Sequence, residues 1–137
     1  LGKEAVTIYE AVQEFRVAET ADGQIVGCGA LHVFWQDLGE IRTLAVAQSW
    51  LGKGVGHAVL EQLVTDAREL GLARLFCLTF EVEFFGKHDF AEVSDQIIDE
   101  ATFAELELSH DEGVAEFLDL ARVKPNTLGN TRMLRYL

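Results

Sequence analysis

The chain has 137 residues, enough for one domain with a substantial core, and 49% of them are apolar, which excludes a disordered chain. Eleven basic against 23 acidic residues leave a formal net charge of -12, which argues against a nucleic-acid partner, since displacing counterions from its phosphates needs clustered cations, but leaves room for an anionic small ligand held by backbone N–H groups. The longest apolar runs are strand-sized and broken by charges, so no membrane partner is predicted, and no signal-like start is visible.

Ala5, Ile8, Tyr9, Val12 and Phe15 fall at helical spacing and predict an amphipathic helix over 3–14. A strand follows over 15–20, closed by the turn Ala21-Asp22-Gly23. The longer apolar segment 24–35 predicts a second strand, in which Gly27 and Gly29 mark a bulge or a close backbone approach. A turn at 36–39 leads to a third strand at 40–46, completing an antiparallel meander. Ala58, Val59, Leu60, Leu63, Val64, Ala67 and Leu70 then make a helical stripe from about 56 to 70, stopped by Gly71.

Residues 75–79 predict a short apolar strand, so the central unit is strand, glycine loop, helix, strand. A short helix is predicted at 83–88 and another strand at 91–93. Weaker helical stretches lie at 100–107 and 112–119, with a loop at Lys124-Pro125-Asn126 and a last strand at 132–137. No repeat, low-complexity tract or linker interrupts the chain, so 1–137 reads as a single mixed α/β (α+β) domain. Trp35, Trp50 and Phe80 read as core or edge packing. Cys28 and Cys77 read as small buried hydrophobes, which fits a reducing cytoplasm better than a disulfide framework. His32, His57, His88 and His110 lack paired ligand spacing, so no metal site is predicted.

Chemistry gathers at Gly52, Gly54 and Gly56. Glycines between a strand and a helix let the backbone approach an anion, and the helix adds unsatisfied N–H donors and its positive dipole end. A phosphate-bearing ligand follows, with a tight turn as the plainer reading. The loop lacks the hydroxyl that ends a P-loop, and its Gly-x-Gly-x-Gly spacing departs from the dinucleotide fingerprint.

Residues 40–93 resemble the GCN5-related N-acetyltransferases (GNAT), whose motif is Arg/Gln-x-x-Gly-x-Gly/Ala between a strand and a helix. Leu51-Gly52-Lys53-Gly54-Val55-Gly56 follows it, with Leu51 in place of the Arg/Gln. Phe84-Phe85-Gly86-Lys87-His88-Asp89-Phe90 resembles the family's late helix, with Phe85 where many members carry a tyrosine acid and Asp89 in place of a glycine. Segments at 14–19, 27–31, 39–41 and 75–79, with 123–134 at the C-terminus, resemble the short stand-alone N-acetylglutamate synthase branch. Such members begin with a further strand and helix, expected before Leu1.

The resemblance implies a GNAT fold and acetyl transfer from acetyl-CoA to the α-amine of an amino acid, L-glutamate or L-glutamine, the first step of arginine biosynthesis. It implies Glu40 as general base and Thr79 as the group that meets the departing thiolate. Glu40 taken alone reads as a solvated strand-end charge, and Thr79 as an ordinary β-branched strand residue. Main-chain donors at Leu44 or Ala45 would meet the oxyanion, and Val46 the pantetheine arm. Leu51, Gly52, Lys53, Gly54, Val55, Gly56, His57, Phe85 and Lys87 would line the CoA site, and Phe80 is an alternative candidate for the acyl-CoA cleft. Arg42, Lys124, Asn126, Asn130 and Arg132 would bind the acceptor's carboxylates, although each singly is more often a surface group; Lys3 and Arg16 are weaker candidates. A homodimer paired through C-terminal strands is implied by the family. Acetylation of another amine, or a non-catalytic acyl-CoA-binding module, are the competing readings.

Overall fold

The structure, a computed structural model, describes residues 5–93, 100–109, 111, 114 and 130–137. Its elements in chain order are α1 (Ala5–Glu10), β1 (Phe15–Glu19), β2 (Ile25–Trp35), β3 (Leu38–Val46), α2 (Val55–Leu70), β4 (Arg74–Thr79), α3 (Val82–Gly86), β5 (Ala91–Glu92), α4 (Glu100–Leu106) and β6 (Thr131–Tyr136). The six strands form a mixed sheet, mostly antiparallel, in the order β1-β2-β3-β4-β6-β5. By contacts the chain divides into two compact units, Leu1–His32 with Glu40–Gly71, and Val33–Gly39 with Leu72–Leu137.

In the first unit β1 pairs antiparallel with β2, from Phe15 opposite Ala30 to Glu19 opposite Ile25. Helix α2 carries the predicted stripe: Val59, Leu60, Leu63, Val64 and Ala67 are all buried. It lies close on β2, where a Cβ on Gly29 would stand 2.9 Å from side-chain atoms of Leu44, Val59 and Leu63. Glycine at 29 is thus the condition for this approach, as the sequence suggested. Arg16 on β1 clamps Asp66 on α2 with two bonds, Nε to Oδ2 at 2.8 Å and Nη2 to Oδ1 at 2.9 Å.

The helix predicted over 3–14 is divided. Ala11 N–H points at both Thr7 and Ile8 carbonyls, at 3.2 Å each, and the chain tightens into a 3-10 turn at Val12–Glu14. None of the α1 residues is buried, so Val6, Ile8 and Tyr9 find no core among the described residues. Such a short helix has little stability of its own to hold it longer.

In the second unit β6 pairs antiparallel with β4 over its whole length, from Arg74 opposite Tyr136 to Thr79 opposite Thr131. On its other side β5 covers Met133 and Leu134. The last strand is therefore interior at those positions. Phe34, Leu38, Phe76, Leu106, Val114 and Leu134 form the core, with the Phe34 and Phe76 rings edge to face at 4.7 Å. Leu38, read as part of a turn, instead starts β3, because its fully buried side chain belongs to this cluster. Phe80 corrects the packing expectation, being 70% exposed just beyond β4. The 112–119 stretch, apart from Val114, and the 124–126 loop lie outside the described residues.

Candidate active site

Between β3 and α2 the chain makes a 3-10 turn at Gln48–Trp50 and then exposes Leu51 to Gly54. Gly52 and Gly54 have φ of 75° and 84°, a left-handed conformation that costs a β-carbon-bearing residue about 1–2 kcal/mol. Open space surrounds both: a Cβ on either would meet nothing within 4 Å. Their glycine requirement is therefore conformational, not steric crowding.

Gly54 caps α2 without any side-chain bond, and no acidic residue occupies the first turn. Ala58 N–H is bonded back to Gly54 at 3.0 Å, and the amides just ahead of it belong to the first turn, where an α-helix turns its N–H groups toward acceptors outside its own ladder. Lys53 adds a cation 4.8 Å over the Trp50 ring. These groups fit a pyrophosphate: main-chain donors, a helix dipole and one ammonium, with Leu51 in the place of a side-chain helper.

The strand that feeds this loop carries Glu40. It is 5% exposed, which rules out the solvated strand-end reading. Arg42 lies on the same face of β3 and its Nε donates to Glu40 Oε1. Arg42, expected at a substrate carboxylate, is thus engaged by a carboxylate of the protein itself.

One residue further on, Thr43 adopts φ 54°. A β-branched residue there is a backbone outlier, and such outliers concentrate at functional positions. Cys28 Sγ donates to the Thr43 carbonyl at 3.5 Å, and in a trans peptide this turns the Leu44 N–H the opposite way. Sequence reasoning missed Thr43, since threonine in an apolar strand signals ordinary extended backbone. The Glu40–Arg42 bond, by contrast, was within reach of the two-residue alternation of a strand.

In the second unit Thr79 is buried at the end of β4, and its hydroxyl oxygen accepts the Glu81 N–H at 2.8 Å. Asn130, also buried, precedes Thr131, the register partner of Thr79; Arg132, half-buried, is opposite Leu78, and its carbonyl accepts from Val93 at 3.0 Å. Phe85 was expected to line the CoA site. Its ring is buried edge to face between Phe84 and Phe90, at 5.2 Å from each, and serves as core. Lys87, exposed, follows α3 with its N–H on the Glu83 carbonyl. Lys3, Lys124 and Asn126 lie outside the described residues. Among the described residues no group of three or more His, Cys, Asp or Glu side chains is placed to hold a metal, and no helix is long and apolar enough to cross a membrane.

Strand, glycine loop and helix, with a buried carboxylate on the strand, make the unit that the resemblance to acetyl-CoA-dependent acetyltransferases implied. The chain belongs to the acetyltransferase (GNAT) family, which residues 4–91 match. It is 57% identical over 139 residues to an amino-acid acetyltransferase of Mycobacterium tuberculosis, covering 100% of this chain and 80% of that one. A Mycobacterium tuberculosis crystal structure in complex with CoA and NLQ superposes with a TM-score of 0.92 at 57% identity, over 100% of this chain and 84% of the other. The N-acetylglutamate synthase of Neisseria gonorrhoeae, complexed with coenzyme A and N-acetyl-glutamate, superposes at 0.75 with 25% identity. There this chain is covered fully but spans only 28% of the longer protein.

Proposed function

We propose that this chain transfers the acetyl group of acetyl-CoA to the α-amine of an amino acid, glutamate or glutamine, as a single domain in the cytoplasm at the first step of arginine biosynthesis. The observation that carries this reading is the 57% identity, along the whole chain, to a protein named amino-acid acetyltransferase. The N-acetyl-glutamate bound by the Neisseria gonorrhoeae protein supports the choice of acceptor.

Acetyl-CoA, when bound, supplies an acetyl group activated as its thioester. The loop residues Gly52 to His57 hold the pyrophosphate through main-chain N–H groups, with Lys53 beside them and Lys87 reaching for CoA phosphates. An ammonium cannot attack, so Glu40 takes a proton from it, directly or through water. Amides at Leu44 or Ala45 receive the negative charge that develops on the acetyl oxygen, and Val46 steadies the pantetheine arm. With Phe85 lacking a hydroxyl, the Thr79 hydroxyl is the group offered to the departing thiolate. The acceptor's carboxylates fall to Arg132 and Asn130, with Lys124 and Asn126.

A coupled thiol-release assay over a panel of amino acids tests this. Turnover on glutamate or glutamine is expected; none on any acidic amino acid or its amide overturns it, and turnover on a polyamine or peptide alone selects another amine. Glu40→Gln should lower kcat by about 10²–10⁴-fold with acetyl-CoA binding unchanged.

A further inference from the structure

Glu40 and Arg42 are two residues apart on β3, so their side chains leave the same face. Both are withdrawn from solvent, with side chains 6% and 12% exposed, and they are joined through Arg42 Nε and Glu40 Oε1. A carboxylate this deep is costly to keep ionised alone, and a guanidinium beside it offsets the cost. The proposed reaction needs that carboxylate charged, because a protonated acid cannot accept a proton from an ammonium. It also needs the carboxylate in one place, and a buried Glu has three rotatable bonds to lose.

We infer that Arg42 is a positioning residue for Glu40: it holds the carboxylate ionised and in register for the acceptor's ammonium, instead of gripping a carboxylate of the acceptor. This rests on the proposed role of Glu40 as base and reassigns Arg42 from substrate binding.

The test is a double-mutant cycle with Arg42→Met, Glu40→Gln and the two combined, with Arg42→Lys as the conservative variant. Arg42→Met should lower kcat by about 10²-fold, the cost of a catalytic group misplaced by about 1 Å. KM for the acceptor should stay within about twofold, since no acceptor contact is lost. Arg42→Lys should recover part of kcat by restoring the charge without the fork. Once Glu40 is Gln, Arg42→Met should cost nothing further. A crystal structure of Arg42→Met should show the Glu40 carboxylate moved from its place, a readout independent of turnover.

An equal rise in acceptor KM in both backgrounds, with kcat unchanged, overturns the inference in favour of a direct grip on substrate. Wild-type kcat and an unmoved Glu40 in Arg42→Met overturn it outright. Should Arg42→Met not fold, the double variant compared with Glu40→Gln decides: an unchanged acceptor KM supports positioning and a raised one overturns it. If the wild type acetylates a different amine, the cycle is run on that amine and only the acceptor assignment falls. If Glu40→Gln keeps wild-type kcat, the base assignment falls and the positioning role falls with it.

Discussion

From β3 into α2 the backbone departs from ordinary geometry at Thr43, Gly52 and Gly54, and the loop from Leu51 to Gly54 is exposed. Along β4 and β6 the ladder is regular through six register pairs, and Phe76, Leu75, Cys77, Met133 and Leu134 are buried. One region holds strain, a helix N-terminus and a buried ion pair, and the other holds packed hydrocarbon. The difference separates binding from stability: unsatisfied or strained groups are useful to a ligand, while close packing maintains the fold.

The sharpest way to break that comparison is Phe76→Ala. Removing this fully buried ring should cost about 3–5 kcal/mol by chemical denaturation, with acetyl-CoA affinity unchanged in the fraction that remains folded. A change in affinity larger than the change in stability would merge the two regions into one. Gly54→Val is the converse. Its side chain enters open space, so the cost is the left-handed backbone alone, about 1–2 kcal/mol. If the loop escapes that cost by turning its amides away, acetyl-CoA binding by calorimetry should weaken about tenfold, the equivalent of about 1.4 kcal/mol.

Smaller effects sharpen the picture. Asp89, with φ 64°, stands where the resembling family has glycine. Asp89→Gly should stabilise by about 0.5 kcal/mol, relief of strain exceeding the chain entropy added, as read by a rise in Tm. The smallest effect is Asp66→Asn. The hydrogen bond from Arg16 holds the Asp66 carboxyl below its usual value of 3.8. A lowered folded value contributes stability above the unfolded value and loses it as pH falls through the folded one. Wild type and Asp66→Asn should therefore differ most near neutral pH and converge well below 3.8, in thermal melts at low salt.

The legible parts of this fold were those with local causes. Helix α2 was readable because its apolar residues recur at helical spacing and glycines stand at both ends, and the structure runs it over Val55–Leu70. The loop was readable because glycine signals positive φ. Strands β1 to β4 were readable from apolar runs and turn residues, with bounds moved by one or two positions. Helix α1 was over-read, since its stripe is apolar but finds no core among the described residues. The packing reading of Phe80 failed because apolar character does not reveal which side of a strand end faces water.

The sequence by itself determined that a glycine loop opens a helix, and its motifs there resemble those of acetyltransferases. Those features depend on neighbours a few residues apart. Only the tertiary structure decided that Glu40 is buried and bonded to Arg42, and that Thr43 turns left-handed with its carbonyl on Cys28. It alone decided that β6 lies between β4 and β5. Burial and strand order depend on partners far along the chain, and a backbone outlier persists only when those partners over-determine it.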